Sequence, residues 1–346
     1  MEKFFNTAGP VNQPEHYKID PLHRWDLDEI LTLIDQRKYF ILHAPRQTGK
    51  TSSLLALADY LNAGSDYIAV YANIEAAQAA RNDVTMGMGA ILRELQQRLE
   101  AAGLDAHGLA KEHLNAGAYL SSNEAGAALS AYLTAVSSAI DKPLVLFLDE
   151  IDALVGDTLI SVLRQVRSGY DKRPAAFPST VVLCGVRDIK DYRIHRSDDQ
   201  IITGGSAFNI KAKSLRLGNF SEEEIRALYR QHTEATCQRF EGPCFDLVWR
   251  YTAGQPWLVN ALAHEVTFKM KENRDRSQPI TADKLMEAKE KLVLSRQTHL
   301  DQLADKLSED RVRRVILPMI LGEDTKAEED DKSYCVDLGL IARTRE

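Results

Sequence analysis

The chain has 346 residues, four cysteines and a net charge of −7, from 43 Lys and Arg against 50 Asp and Glu. That length exceeds what a single compact core serves and predicts about two or three domains, while the acidic balance argues against a globally basic nucleic-acid binder and leaves room for a local basic surface. Cys184, Cys237, Cys244 and Cys335 lack C-x-x-C spacing, which suits neither a zinc site nor a disulfide scaffold. With no membrane-length apolar run and no basic-then-apolar leader pattern, a cytoplasmic, non-membrane protein is expected.

Residues 1–25 are rich in Pro, Asn and His and read as an extended arm. Asp26 is placed to cap a helix in which Leu27, Ile30, Leu31 and Ile34 recur at helical spacing. An apolar strand-like run, Tyr39-Phe40-Ile41-Leu42, follows. Then comes the most informative stretch, Ala44-Pro45-Arg46-Gln47-Thr48-Gly49-Lys50-Thr51, leading into a helix-like run from Ser52 to Leu61. Strand, glycine-containing turn and helix are the context of a phosphate-binding P-loop: backbone N–H groups and the helix N-terminus face the phosphates. In that pattern Ala44 to Ser52 bind the nucleotide, Lys50 reaches the β- and γ-phosphates, and the Thr51 hydroxyl ligates Mg²⁺. Ala44 stands where the pattern has its first glycine, a mild departure.

Tyr67-Ile68-Ala69-Val70-Tyr71 reads as a second strand, followed by helical stretches near 86–102 and 124–140. Pro143-Leu144-Val145-Leu146-Phe147-Leu148 is a continuous apolar run, expected of a strand buried on both faces of a parallel sheet. Asp149 and Glu150 close it. Asp149 is placed to hold Mg²⁺, and Glu150 to orient and polarise an attacking water. Asp152 reads as a cap or surface residue. Leu159, Ile160, Leu163 and Val166 mark a helix, Thr180 to Cys184 a fourth buried strand, and Phe208 to Leu217 a fifth after an irregular segment from about 188 to 206. Strands alternating with helices predict a doubly wound α/β sheet.

At Phe220-Ser221-Glu222-Glu223-Glu224-Ile225 the pattern changes. Ser221 and Glu224 form a capping box, and Phe220 and Ile225 a hydrophobic staple. Every strong periodicity from there to about 294 is helical, with Thr281 starting the last helix. Beyond 295, Val312, Val315 and Ile316 mark a helix that Pro318 is expected to break. The acidic run Glu328 to Asp331 reads as a solvated turn, and Tyr334 to Leu338 as a strand. Helices followed by a strand suggest a winged-helix-like tail, although the chain stops before a second wing strand. The expected organisation is therefore an arm (1–25), a P-loop α/β domain (26–219), a small helical lid (220–294) and the tail (295–346).

The P-loop, the Asp149-Glu150 pair and the helical domain after the sheet resemble an AAA-like P-loop ATPase, near the signal-transducing (STAND) and origin-recognition-type branches. Two further stretches carry the resemblance. Cys184-Gly185-Val186-Arg187-Asp188 resembles the sensor-1 position, where this group often has arginine, and Thr252 to Asn260 resembles the Gly-x-Pro motif of the lid. Ser206 to Ile210 and Leu217 to Phe220 resemble the segment leading into that lid. The resemblance implies that Arg187 senses the γ-phosphate, that Pro256 and Trp257 line the nucleotide pocket, and that Tyr17 to Pro21 lie near the adenine. The residues alone also allow Arg187 an ordinary ion pair with Asp188 or Asp191, and allow Gly254 and Pro256 merely to open a helix. STAND proteins usually carry a long repeat or sensor domain after the winged helix, and some AAA-like relatives a nuclease domain; neither is read in these 346 residues, so either a bare switch module or a truncated chain is expected.

The expected reaction is hydrolysis of the β–γ bond of MgATP, in which positioning and charge neutralisation do most of the catalysis. ATP is expected over GTP because no Asn-Lys-x-Asp motif is present. Glu150 directly after the metal-binding Asp149 favours water over a small-molecule acceptor. Cys184 and His43 read as packed residues beside the site. Arg164, Arg167 and Arg173 lie where an arginine finger for a neighbouring subunit can sit, although a solvated helix face explains them as well. A nucleotide-dependent switch acting on a protein partner, with homo-oligomerisation open, is one outcome. The alternative is a nucleic-acid-associated module docking DNA through Arg311, Arg313 and Arg314.

Overall fold

A computed structural model of the chain describes residues 2–11, 14–103, 111–187, 194–195, 201–202, 212–295, 305–325 and 327–342. The chain divides into two compact units. One comprises Met1–Arg24, Ala44–Ser52 and Leu217–Glu346; the other comprises Trp25–His43 and Ser53–Arg216.

The arm forms two short strands, β1 (Phe4–Phe5) and β2 (His16–Tyr17), paired in parallel. In the second unit, α1 (Leu27–Asp35) starts at Asp26, whose side chain accepts from the Glu29 N–H as expected. β3 (Phe40–His43), β4 (Ile68–Asn73), β5 (Leu144–Asp149), β6 (Thr180–Gly185) and β9 (Lys213–Arg216) make one parallel sheet in the order β4-β5-β6-β3-β9. The first strand of this sheet in sequence is thus an inner one, flanked by the fourth and fifth. Every residue of β5 is buried, which is what a continuous apolar run demands.

One sheet face, carrying Ile41, Val70, Leu146, Leu148 and Leu183, shares a core with α3 (Val84–Ala101), α6 (Ala125–Ala139) and α7 (Gly156–Ser168). The opposite-facing Phe40, Leu42, Val145, Phe147 and Cys184 are buried too, so the sheet is covered on both sides. Two short helices, α4 (Lys111–Leu114) and α5 (Ala116–Ser122), were not foreseen. Within the stretch expected to be irregular, β7 (Ile194–His195) and β8 (Ile201–Ile202) pair antiparallel. The start of the expected fifth strand at Phe208 and the motif Ser206 to Ile210 lie outside the described residues.

Among its described residues the other unit is mainly helical, apart from the arm, the loop that follows β3 and an isolated bridge between Phe240 and Ile280. α8 (Glu222–Thr236) carries the predicted capping box between Ser221 and Glu224. α9 (Gly242–Thr252), α10 (Pro256–His264) and α11 (Ala282–Leu294) follow, the last capped by Thr281. Their core holds Phe220, Ile225, Tyr229, Val248, Val259, Leu262 and Leu285. The arm inserts Phe5 and Tyr17 into it, each 1 % exposed. The arm is therefore extended, as expected, yet it is a structural part of the helical core. The Tyr17 ring packs on Phe5 and His232.

The tail departs from expectation twice. α12 (Asp310–Leu321) runs through Pro318 instead of ending there. Proline at 318 removes the N–H that would bond the Arg314 carbonyl, and the Thr325 hydroxyl donates to that carbonyl at 3.4 Å. Residues Tyr334 to Leu338, expected as a strand, belong to α13 (Glu329–Asp337) and its cap. The acidic run is its first turn, where three carboxylates sit favourably on the helix dipole. Asp331, Tyr334, Cys335 and Leu338 repeat at helical spacing, the last three in a small core with Val312 and Val315. No strand occurs among the described residues of the tail, so the winged-helix-like expectation loses its wing.

Candidate functional site: a phosphate loop and a carboxylate strand

β3 runs directly into the loop Ala44–Gly49, and α2 (Lys50–Ala63) begins at the loop lysine. The loop turns by left-handed backbone at Gln47 (φ 59°) and Gly49 (φ 95°). At Gly49 φ lies beyond the left-handed α region that Gln47 occupies, where an L side chain is strained, so glycine is required. Thr48 closes the turn, its hydroxyl donating to the Pro45 carbonyl at 2.8 Å. Arg46 and Gln47 are exposed at the crown of the loop, whereas Ala44, Thr48, Lys50 and Ser52 are buried.

Lys50 is 7 % exposed, and its ammonium donates to the Ala44 and Pro45 carbonyls at 2.9 and 3.0 Å. No ion pair to it occurs among the described residues. A buried cation on neutral oxygens is an incompletely compensated charge. It is suited to an anion arriving on the loop.

Within the same unit, side chains from the arm and the lid hold this loop. Ser52 Oγ accepts from the Val11 N–H at 2.9 Å. The Gln255 amide, at the start of α10, donates to the Arg46 and Gln47 carbonyls at 3.4 Å each. Arg24 donates to the Thr48 carbonyl at 3.2 Å. Pro256 is the buried first residue of α10, and Gln255 caps that helix by accepting from the Leu258 N–H. Trp257 is buried with Ala261 and Leu292, its indole N–H donating to the Thr7 carbonyl at 3.0 Å. Gly254 (φ 72°) lies so close to the Phe220 carbonyl that an added Cβ would sit 2.0 Å from its oxygen.

The acid pair stands on the sheet. Asp149, fully buried, ends β5, and Glu150 follows in left-handed backbone (φ 61°). The Tyr71 hydroxyl donates to Oδ2 of the carboxylate and the Glu150 N–H to Oδ1, both at 2.9 Å. Tyr71 comes from the adjacent strand β4, and the Arg98 guanidinium lies 5.6 Å from its ring centroid. Asp152, expected as a cap or surface residue, accepts from the Val186 N–H at 3.1 Å, tying the segment after β5 to the end of β6. Arg187 follows immediately. Because the strands are parallel, Asp149, Glu150 and Arg187 stand at one carboxyl edge of the sheet, the edge from which β3 enters the phosphate loop. Asp188 and Asp191, candidate partners of Arg187, lie outside the described residues. Cys184 is buried and His43 half-buried at the ends of β6 and β3.

Of the finger candidates, Arg164 and Arg167 are exposed on or at the end of α7. Arg173 is spent structurally, stacked 3.5 Å from the Tyr170 ring centroid and donating to the Tyr170 and Arg37 carbonyls. The basic run of the tail is internally neutralised. Arg311 pairs with Asp330 and Asp331, Arg313 with Asp310, and Arg314 with Asp331. Tyr71 and Arg24 are the contributors that sequence reasoning missed, since neither belongs to a motif around the loop or the acid pair.

The donor chemistry fits a nucleotide with Mg²⁺. Thr51 and Asp149 offer hard oxygen ligands, and no cluster of three His, Cys, Asp or Glu able to cage a metal occurs among the described residues. Mg²⁺ that keeps waters and phosphate oxygens needs only one or two protein ligands.

No protein-family model matches the chain, and no curated protein matches it in sequence. Solved structures do. A Walker-type ATPase of Pyrococcus abyssi is similar over 97% of this chain and 92% of its own, with 12% identity and a TM-score of 0.59. Cdc6p from Pyrobaculum aerophilum is similar over 95% and 88%, with 15% identity and a TM-score of 0.50. The RuvB Holliday junction branch migration motor of Thermotoga maritima aligns over 92% and 90%, with 14% identity and a TM-score of 0.46. At such identities the likeness is one of fold. The chain has the fold of AAA+-like P-loop ATPases, an α/β core followed by helices, and these likenesses do not single out the STAND branch.

Proposed function

We propose that the protein binds MgATP, hydrolyses its β–γ bond and uses the bound and released states as a switch on a protein partner. The observation that carries this is the buried Lys50 ammonium, which donates to the Ala44 and Pro45 carbonyls at the base of a left-handed loop. That arrangement favours an anion with several oxygens, and the N-terminus of α2 adds its dipole.

In this reading Ala44 to Ser52 cradle the phosphates, with Lys50 on the β- and γ-oxygens. Thr51 and Asp149 hold Mg²⁺, which supplies charge neutralisation on the transferring group. Glu150 orients a water and takes up its proton. Arg187 responds to the γ-phosphate, and Pro256 borders the nucleotide from the lid. Tyr71 and the Glu150 N–H keep the Asp149 carboxylate from rotating, which saves reorganisation when the metal arrives. The hydrogen bond of Gln255 to loop carbonyls gives the lid a route to feel loop occupancy, as a switch requires.

Lys50→Ala should remove most nucleotide affinity without unfolding the chain, read by equilibrium binding of a fluorescent ATP analogue. Unchanged binding in that variant would end the assignment. Glu150→Gln should bind ATP normally and stall turnover; normal phosphate release would remove Glu150 from its role. Molar mass measured with and without MgATP separates an assembling machine from a monomeric switch.

A further inference from the structure

Arg24 stands at the end of a short 3-10 turn, Pro21–Arg24, outside every motif that points to nucleotide. Its guanidinium forks between two backbone carbonyls. Nη1 donates to Thr48 in the phosphate loop at 3.2 Å, and Nη2 donates to Gly218, two residues before the lid core begins at Phe220. Its Cζ lies over the Phe220 ring, 4.5 Å from the centroid. A Cβ built on Gly49 would lie 3.4 Å from Nη1, in ordinary contact, so the guanidinium closes that side of the loop. Phe220 in turn is pinned to the lid turn, its N–H donating to the Gly254 carbonyl at 2.8 Å.

We propose that Arg24 is a positioning residue that locks the phosphate loop to the residues leading into the lid, so that loop geometry and lid attachment change together. Arg24 gains no carboxylate partner within ion-pair distance among the described residues. Burial pulls its pKa down to about 10, opposed by the Glu224 carboxylate at the start of α8. It thus stays protonated near neutrality, and its worth lies in the fork and the stacked face rather than in a salt bridge. A lysine keeps the charge and loses both, because an ammonium cannot serve two divergent carbonyls while lying flat on a ring. The inference deepens the switch reading by naming a mechanical link, and it rests on that reading only for its nucleotide-dependent part.

Hydrogen exchange by mass spectrometry on the full chain tests it. In the nucleotide-free protein, Arg24→Lys should speed exchange roughly tenfold both at Thr48–Lys50 and at Leu217–Phe220, with the sheet unaffected. Faster exchange at only one of the two segments, or at neither, overturns the link. With MgATP, the wild type should gain protection at both segments, and Arg24→Lys should bind nucleotide yet gain it only at the loop. Equal protection of both segments in the variant also overturns the link. If the wild type binds no nucleotide, the ATPase reading falls while the nucleotide-free comparison still decides the proposal. Should Arg24→Lys fail to fold by circular dichroism, Phe220→Leu removes the stacked ring and leaves the fork. It should loosen both segments together by a smaller factor, and loosening of the lid segment alone would overturn the link.

Discussion

Replacing Tyr71 with phenylalanine tests the support of Asp149, the proposed metal ligand, more sharply than removing Asp149 itself. The change deletes one oxygen and with it a hydrogen bond, 2.9 Å long, to a fully buried carboxylate. The ring, its place on β4 and its contact with Arg98 remain. Hydrogen bonds to charged groups contribute about 1.5–3 kcal/mol, which corresponds to roughly 10- to 150-fold in an equilibrium constant. Loss of an outer partner of a metal ligand costs about 10- to 100-fold in metal affinity, and the two scales agree. Tyr71→Phe should therefore raise the Mg²⁺ concentration needed for tight binding of a fluorescent ATP analogue by about 10- to 100-fold. Affinity for the same analogue in EDTA should not change, because the phosphate loop is untouched. Titrating Mg²⁺ at fixed analogue, beside a thermal melt, reads both quantities. An unchanged Mg²⁺ midpoint in a folded variant would refute the assignment of Asp149 as a metal ligand held by Tyr71.

Other expectations follow from single contacts. Gly254→Ala should cost about 3 kcal/mol or more, since the new Cβ would sit 2.0 Å from the Phe220 carbonyl oxygen at a positive φ; chemical denaturation measures it, and a neutral variant would refute the close approach of Gly254 to that carbonyl. The helical unit should lose stability on acidification. Burial, with Arg276 nearby, holds the His232 pKa below its usual 6.5 against the opposing Gln238 bond. The folded state thus binds fewer protons, so its stability is complete above pH 6.5 and falls as pH drops toward the lowered folded value. His232→Gln should flatten that slope in thermal melts from about pH 8 to about pH 5, and an equally steep variant would shift the cause to His16 or His264, whose pKa values burial also lowers. Arg311→Ala should destabilise the tail by about 1–3 kcal/mol, because Asp331 is 8 % exposed and loses a partner. Duplex DNA should not bind at low salt; a steeply salt-dependent isotherm abolished by changing Arg311, Arg313 and Arg314 would restore the nucleic-acid reading.

What was legible in the sequence is what local chemistry imposes. A continuous apolar run such as Leu144 to Leu148 has few options other than a buried parallel strand. A capping box such as Ser221–Glu224 announces its helix from four residues. The loop residues stand out because the phosphate-binding pattern has glycine, lysine and a hydroxyl at fixed spacing, and the strand and helix expected on either side of them are present as β3 and α2. The failures are equally physical. Proline at 318 leaves the Arg314 carbonyl without its helical donor, yet α12 runs on through it, and the Thr325 hydroxyl donates to that carbonyl instead. The Tyr334–Leu338 run has strand-like residues, yet its burial follows i, i+3, i+4 spacing set by packing on Val312 and Val315. Propensity lost to tertiary context there.

Tyr71 and Arg24 were invisible for a different reason. Each is an ordinary residue whose role arises from what the fold brings to it. Tyr71 reaches Asp149 because β4 and β5 pair with Asn73 opposite Asp149, leaving the phenol two residues back on the same strand to reach forward along its neighbour. Arg24 reaches Thr48 and Gly218 because a turn just before α1 meets two segments far apart in sequence. The acids and the loop lysine are constrained by chemistry, so a motif finds them. Their supports are constrained only by geometry, so many residue types with a donor of the right reach can serve. The tail arginines make the same point in reverse: Arg311, Arg313 and Arg314 read as a basic surface in sequence, and the fold delivers Asp310, Asp330 and Asp331 to neutralise them. Charge in a sequence becomes a binding surface only where no partner in the same fold takes it up.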